Sequence, residues 1–316
     1  MKIIRAFCDR HPFCAAIIGL LFSPEVVMAY LGRGWLAIFY FLLDVASMAI
    51  LWWLTYGTDY AYLPDLFALL LRLVGMAHGY IVARSIRGQQ HFPWYARWYS
   101  LIGIWLSLFA IALLVRSFLF EPFSAPSGSM APTLQVSDYL FSEKYAYGYS
   151  RYSFPLDIGP SSRWFARPPL QGDIVLFRLP RQPDSTYIKR VIGMPGDRVQ
   201  MRNGILYLNG DAVPQLPAGE WTERADDPRM MPVLRETLPS GRSYLVADAV
   251  KGSRGDDTDE FIVPSGHYFV LGDNRDNSLD SRFDVGFVPE DNIVARAGLV
   301  VFNANQKDRR WIWLNP

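Results

Sequence analysis

The sequence predicts apolar helices that cross a membrane over residues 1–120, followed by a mainly antiparallel β domain from residue 121 to the end. Three observations predict it. Apolar runs at Trp35–Tyr56, Leu66–Val82 and Trp98–Phe120 each approach the ~20 residues that a bilayer requires. After Phe120 the texture changes to short strand-like runs, among them Asp138–Phe141, Asp173–Phe177, Tyr187–Ile192 and Tyr268–Leu271, closed by Gly, Pro and Asn turns. Asn203-Gly204, between VQMR and ILYLNG, is a two-residue hairpin signal.

The N-terminal end is short and basic, with Lys2, Arg5 and Arg10. Cys14–Leu31 is apolar but interrupted by Pro24-Glu25, where a cleavable leader would need small residues, so the segment reads as retained. Arg84, Arg87 and Arg97 flank the loop before the last run and place that loop in the cytoplasm. The chain then leaves on the far side after Phe120. The Tyr56–Pro64 loop carries Asp59 and no basic residue, which suits the outside, and Arg33 falls inside. Keeping the basic N-terminus inside requires three spans plus a broken, re-entrant or interfacial first segment, rather than four spans. Asp44, Arg72 and His78 lie in or beside the apolar runs. Intramembrane charge is costly, so an Asp44–Arg72 pair or an Arg72 reaching the interface is expected, with a relay as the alternative.

The net charge of +1, with no Lys/Arg-rich run, gives no reason to expect nucleic acid. Cys8 and Cys14 both precede the β domain, which therefore has no disulfide. Only five residues are lysine (Lys2, Lys144, Lys189, Lys251 and Lys307), so a lysine inside an apolar run stands out. Trp164-Phe165 and the Arg309–Trp313 stretch mix aromatic and basic groups, and suit either a membrane interface or ordinary packing.

Glu121–Leu134, EPFSAPSGSMAPTL, follows directly on the last span. Pro122, Pro126 and Pro132 oppose helix and favour extended backbone, and Gly128 admits a close approach by another chain. Ser129 is thus either an extended nucleophile at a membrane exit or part of a plain Pro/Ser linker. A serine hydroxyl needs a base. The β domain holds one histidine, His267, in a strand-like run where a half-buried packing role is the simpler reading. No GxSxG, SxxK or HExxH motif and no Cys/His cluster is present, which leaves lysine as base and no metal. Lys189, flanked by Tyr187, Ile188, Val191 and Ile192, suits that role, because burial destabilises its charged form. An exposed strand lysine is the other reading of the same pattern. Lys144, in a polar run, and Lys251, in a Gly-rich loop, are weaker candidates.

A third stretch, GDNRDNSLDSR at Gly272–Arg282, completes a set. With these stretches in this order, the chain over roughly Leu114–Val300 resembles the bacterial type I signal peptidases. The resemblance implies a membrane-bound serine endopeptidase with a Ser–Lys dyad, Ser129 as nucleophile and Lys189 as general base. It implies an oxyanion hole from Ser127 and the Ser129 N–H, and a lysine-orienting Ser278. Arg190 with Asp273, and Asp280 with Arg282, would be scaffold pairs. Ala125, Pro126, Met130, Tyr187 and Ile188 match the walls of shallow pockets for small residues at positions −1 and −3 of the substrate. No cofactor is implied.

The domain division expected on this basis is a membrane region at 1–97 (a broken apolar segment and two spans) and a last span at 98–120. An extracytoplasmic catalytic domain would fill 121–316, with a smaller β subdomain inserted at about 197–264, in which Ala218–Arg229 and Val250–Asp259 are polar and read as loops. The site implied is the bacterial inner membrane, with signal-peptide-bearing preproteins, the bilayer and the export translocon as partners. Familiar members have one or two spans, so Met1–Arg97 departs from the pattern. A dedicated maturase for few substrates and a non-cleaving leader receptor are the alternatives.

Overall fold

The computed structural model describes residues 10–55, 60, 62–89, 91–154, 159–160, 162–222, 230–306 and 308–314. Lys2, Arg5, Cys8, Asp59, Lys307 and the 223–229 end of the polar stretch expected over Ala218–Arg229 lie outside the described residues. The chain divides into two compact units, Met1–Ala112 and Leu113–Pro316.

In the first unit, α1 (Pro12–Leu21) and α2 (Pro24–Tyr30) are short helices separated at Phe22-Ser23. Each opens on a proline, which lacks only an N–H that the first turn leaves unused. Arg10, just before α1, donates from Nε to the carbonyl of Tyr30, the last residue of α2, at 2.8 Å. The interrupted segment is therefore a helical hairpin whose two ends meet. The hairpin packs on α4 (Leu63–Ser85) through glycines: a Cβ on Gly19 would lie 2.7 Å from the Gly75 carbonyl, and one on Gly75 would lie 2.9 Å from Pro24. Small residues let backbones approach this closely in membrane helices. With α3 (Gly34–Thr55) and α5 (Trp98–Phe118), α4 makes three helices long and apolar enough to cross a membrane. Arg72 is exposed on α4, and among the described residues no ion pair joins it to Asp44. His78 is paired instead with the Tyr40 hydroxyl, at 2.8 Å.

Beyond the end of α5 the second unit is mainly β. Its main sheet is antiparallel, in the order β1 (Phe120–Ser124), β2 (Asp138–Glu143), β14 (Ile293–Asn303), β3 (Ile174–Leu179), β4 (Gln182–Gly193), β12 (His267–Leu271) and β13 (Val288–Pro289), with β15 (Arg310–Trp313) on β14. One apolar core, including Met130, Leu140, Leu176, Ile188 and Val300, packs on one side of this sheet. Tyr147, Val175, Phe177, Val191 and Val270 form a second cluster.

Because β4 and β12 are hydrogen-bonded neighbours, everything between them is an insertion into the sheet. That insert builds two smaller sheets. One joins β11 (Phe261–Ile262), β5 (Arg198–Arg202), β6 (Ile205–Leu208) and β7 (Asp211–Ala212), and the other β10 (Ser243–Ala247), β9 (Met231–Thr237) and β8 (Gln215–Trp221). Asn203 and Gly204 turn β5 into β6 with φ of 50° and 77°, the left-handed pair that this hairpin requires. Ala218–Trp221 was expected to be loop. It belongs to β8, because Met231–Val233 of β9 offers it a backbone partner. Val250–Glu260 stays outside helix and strand.

Candidate active site

Two strands carry the site, and each leaves an edge open. β1 lies at the end of the main sheet and pairs only with β2. The chain continues extended past it, with Ala125 N–H donating to the Asp138 carbonyl at 2.8 Å, before turning at Gly128–Ala131. β4 pairs with β12 only over Arg190–Gly193, so its preceding half has β3 as its single neighbour. Ser129 comes from the turn after β1, and Lys189 comes from the middle of β4.

The Lys189 ammonium nitrogen lies 2.6 Å from Ser129 Oγ. Lys189 is 3% exposed. Burial is the main reason its pKa falls from 10.5 to about 8, with a further lowering from Arg282 and a partial restoration from Asp280 and Asp273. The Ser127 hydroxyl donates to Ser129 Oγ at 3.3 Å, which places it beside that oxygen. A cavity of about 370 Å³ opens on this pair. All five residues expected as pocket walls line it: Ala125, Pro126, Met130, Tyr187 and Ile188. Phe123, Leu134, Thr186, Asn277 and Leu279 line it too; four of them fall within the Glu121–Leu134 and Gly272–Arg282 stretches, though none was expected as a wall.

The loop after β12 closes the site from behind. Asn274 N–H donates to the Ser129 carbonyl at 3.1 Å and its side-chain amide to the Gly128 carbonyl at 3.2 Å. Arg190 binds Asp273 through two parallel bonds of 2.8 and 2.6 Å, and Arg282 clasps both Asp280 oxygens at 2.9 Å. Both expected pairs are therefore formed. Ser278, in the same loop, stands apart from these pairs. Its buried Oγ has no hydrogen-bond partner among the described residues, Lys189 included. The hydroxyl is turned onto Gly272, where a Cβ would come within 2.1 Å of it.

Two of the other candidate bases, His267 and Lys144, are engaged elsewhere. His267 Nδ1 is 2.9 Å from the Ser265 carbonyl, beside its own turn, and among the described residues it has no bond to a serine hydroxyl. Lys144 is more buried than its polar surroundings suggested, at 3% exposed, because it is fixed between Glu121, at 2.8 Å, and the Ser153 carbonyl, at 2.6 Å. Trp164, Phe165, Trp311 and Trp313 are all exposed. Asp248, Asp256 and Asp276 bring carboxylate oxygens within 4.8 Å of one another, the one group among the described residues close enough to share a metal ion. Burial, with Asp276 and Asp256 nearby, raises Asp248 to about 6. Asp256 and Asp276 accept from backbone N–H groups of Ser253, Ala249 and Val250, which makes them loop ties.

Residues 97–302 match the family model described as signal peptidase, peptidase S26. The chain is 44% identical over 202 residues to the signal peptidase I of Rickettsia akari (strain Hartford), a match covering 61% of this chain and 75% of that protein. It is 41% identical over 210 residues to that of Rickettsia massiliae (strain Mtu5), covering 64% and 78%. A solved signal peptidase I from Enterococcus faecalis V583 is 28% identical and matches 41% of this chain and 97% of its own, at a TM-score of 0.25. The family match takes in the last span, the Ser129 turn, β4 and the Gly272–Arg282 loop together, and the chain belongs to the signal peptidase family of peptidases.

Proposed function

We propose that this protein is a membrane-bound serine endopeptidase that removes signal peptides from exported preproteins, with Ser129 as nucleophile and Lys189 as general base. The observation that carries this reading is the 2.6 Å contact between a buried, pKa-lowered lysine and a serine hydroxyl at an open cleft. Neutral Lys189 takes the Ser129 proton as Oγ attacks the scissile carbonyl. The tetrahedral oxyanion is held by the Ser129 N–H and the Ser127 hydroxyl, a form of support that typically contributes about 10²–10³ in turnover per donor. Collapse breaks the C–N bond, and the lysine returns its proton to the departing amine. Water, deprotonated by the same lysine, then releases the acyl group from Ser129. Ser278, whose buried hydroxyl is otherwise unused, is assigned to hold the lysine amine during these transfers.

The substrate enters as an extended strand between the open edges of β1 and β4, the mode in which main-chain bonds supply affinity and alternate side chains supply choice. Ala125, Met130 and Ile188 line the walls, and in this reading they form shallow pockets that select small residues at −1 and −3 by excluding larger ones. The three helices long and apolar enough to cross a membrane support a membrane-bound protein. In this reading the membrane is the bacterial inner membrane, with the catalytic unit on the extracytoplasmic side and the export translocon delivering preproteins. No metal or cofactor enters the scheme. Cleavage of a panel of unrelated preproteins, with the cut sites mapped by N-terminal sequencing, tests it. Cuts after small residues across the panel are expected. A cut in one substrate alone favours a dedicated maturase, and binding without cleavage favours a receptor.

A further inference from the structure

Among the described residues of the insert, Glu236 is the most deeply placed carboxylate, with 0% of its surface exposed. It sits on β9, and its expected neighbours on the strand give no reason for a charge there. The reason lies across the fold. Arg275, in the Gly272–Arg282 loop and 2% exposed, donates to Glu236 Oε2 at 2.5 Å. Tyr244 of β10 donates its hydroxyl to the same oxygen at 2.7 Å, and the Gln215 amide of β8 donates to the other at 2.8 Å. All three strands of the smaller sheet thus converge on one carboxylate. Burial alone would raise its pKa, but Arg275 and the two neutral donors hold it below the ordinary value.

From Arg275 the connection runs straight to the reacting atoms. Its Nε donates to the Gly272 carbonyl at 3.2 Å. Gly272 is the residue against which both Ser278 Oγ and the Ser129 carbonyl are packed, at 2.1 and 2.5 Å from where a Cβ would stand. The backbone repeats the tie. Ala247, at the end of β10, pairs in parallel with Asn274: its N–H donates to the Asp273 carbonyl at 2.9 Å, and its carbonyl accepts from Arg275 N–H at 2.8 Å. Asn274 in turn donates to the Ser129 carbonyl.

We infer that the insert is part of the catalytic machinery's support, with Glu236 a positioning residue that acts through Arg275 on the Gly272–Arg282 loop and so sets the Ser129–Lys189 geometry. This rests on the Ser–Lys reading given above. Breaking one member of a buried ion pair leaves a charge unsolvated, so Glu236→Ala alone would confound folding with positioning. Replacing both members with apolar side chains avoids that, because such exchanges are often neutral for stability. The test is therefore the double variant Glu236→Met/Arg275→Met in the full-length, detergent-solubilised protein. It is compared with wild type, with Ser129→Ala and with Glu236→Asp.

The readouts are thermal melting, kcat and KM on one preprotein, and the pH dependence of kcat/KM. The expected result is a folded double variant whose kcat falls about 10- to 100-fold, the scale of a displaced catalytic group, with KM nearly unchanged. Its pH–rate inflection should move from that of wild type, because Asp273, Asp280 and Arg282, the charges that tune Lys189, ride on the same loop. Glu236→Asp should retain more of the wild-type kcat than the double variant does. A folded double variant with wild-type kcat and pH profile overturns the inference while Ser129→Ala stays inactive. A double variant that does not fold leaves Glu236→Asp to decide: folded with wild-type kcat and profile, it likewise overturns the inference, and folded with lowered kcat and shifted profile, it supports it. Activity persisting in Ser129→Ala overturns the Ser–Lys reading and this inference with it.

Discussion

Lys189 shows how one residue's burial sets both chemistry and stability. The folded chain gives up the lysine proton near pH 8, whereas the unfolded chain keeps it until about 10.5. Between those values the unfolded state binds more protons, so stability rises with pH, and below about 8 the folded state carries the full cost of a buried ammonium. Lys189→Met is accordingly expected to be more stable than wild type at neutral pH, by an amount on the order of 3 kcal/mol. That gain should shrink as the pH climbs from about 8 toward 10.5, and melts across this range check it. The residue was legible in the sequence because lysine is rare in this chain and this one sits among Tyr187, Ile188, Val191 and Ile192. Lys144 was not legible in the same way. Its burial depends on Glu121 and the Ser153 carbonyl, and a polar sequence neighbourhood says nothing of partners supplied by the fold.

At the scale of elements, the Gly272–Arg282 loop carries the site's precision. Its acidic and basic residues read equally as a solvated turn or as scaffold, and the structure pairs them: Arg190 with Asp273, Arg282 with Asp280, Arg275 with Glu236. The first two pairs were expected from the motif. The third was not, because Glu236 lies 39 residues from Arg275 in a strand of ordinary appearance. The Ser278 side chain was likewise beyond reach of sequence, since its orientation is decided by the space Gly272 leaves. Gly272→Ala is expected to push Ser278 and the Ser129 carbonyl apart. The overpacking should cost about 1–3 kcal/mol of stability, and turnover should fall by about 10². A melt and a kcat measurement on the purified variant check both; near-wild-type turnover would show that the loop has slack the structure does not display.

For the whole molecule, the change from apolar helix to β texture at Phe120 was readable because the two textures differ in period and composition. The helical hairpin of α1 and α2 was only half readable. Pro24-Glu25 marked the break, while the return of the chain to Arg10 depends on a hydrogen bond to Tyr30 and on glycine contacts with α4. The pocket walls that the motifs did not assign, such as Thr186 and Leu279, follow from which strands and loops the fold brings beside Ser129. The central claim is that Ser129 and Lys189 act as one unit, and cleavage of a model preprotein by wild type, Ser129→Ala and Lys189→Met tests it most directly. Wild type should cut after a small residue, and both variants, still folded, should fall to background. Near-full activity in folded Lys189→Met would contradict the claim and place the base elsewhere.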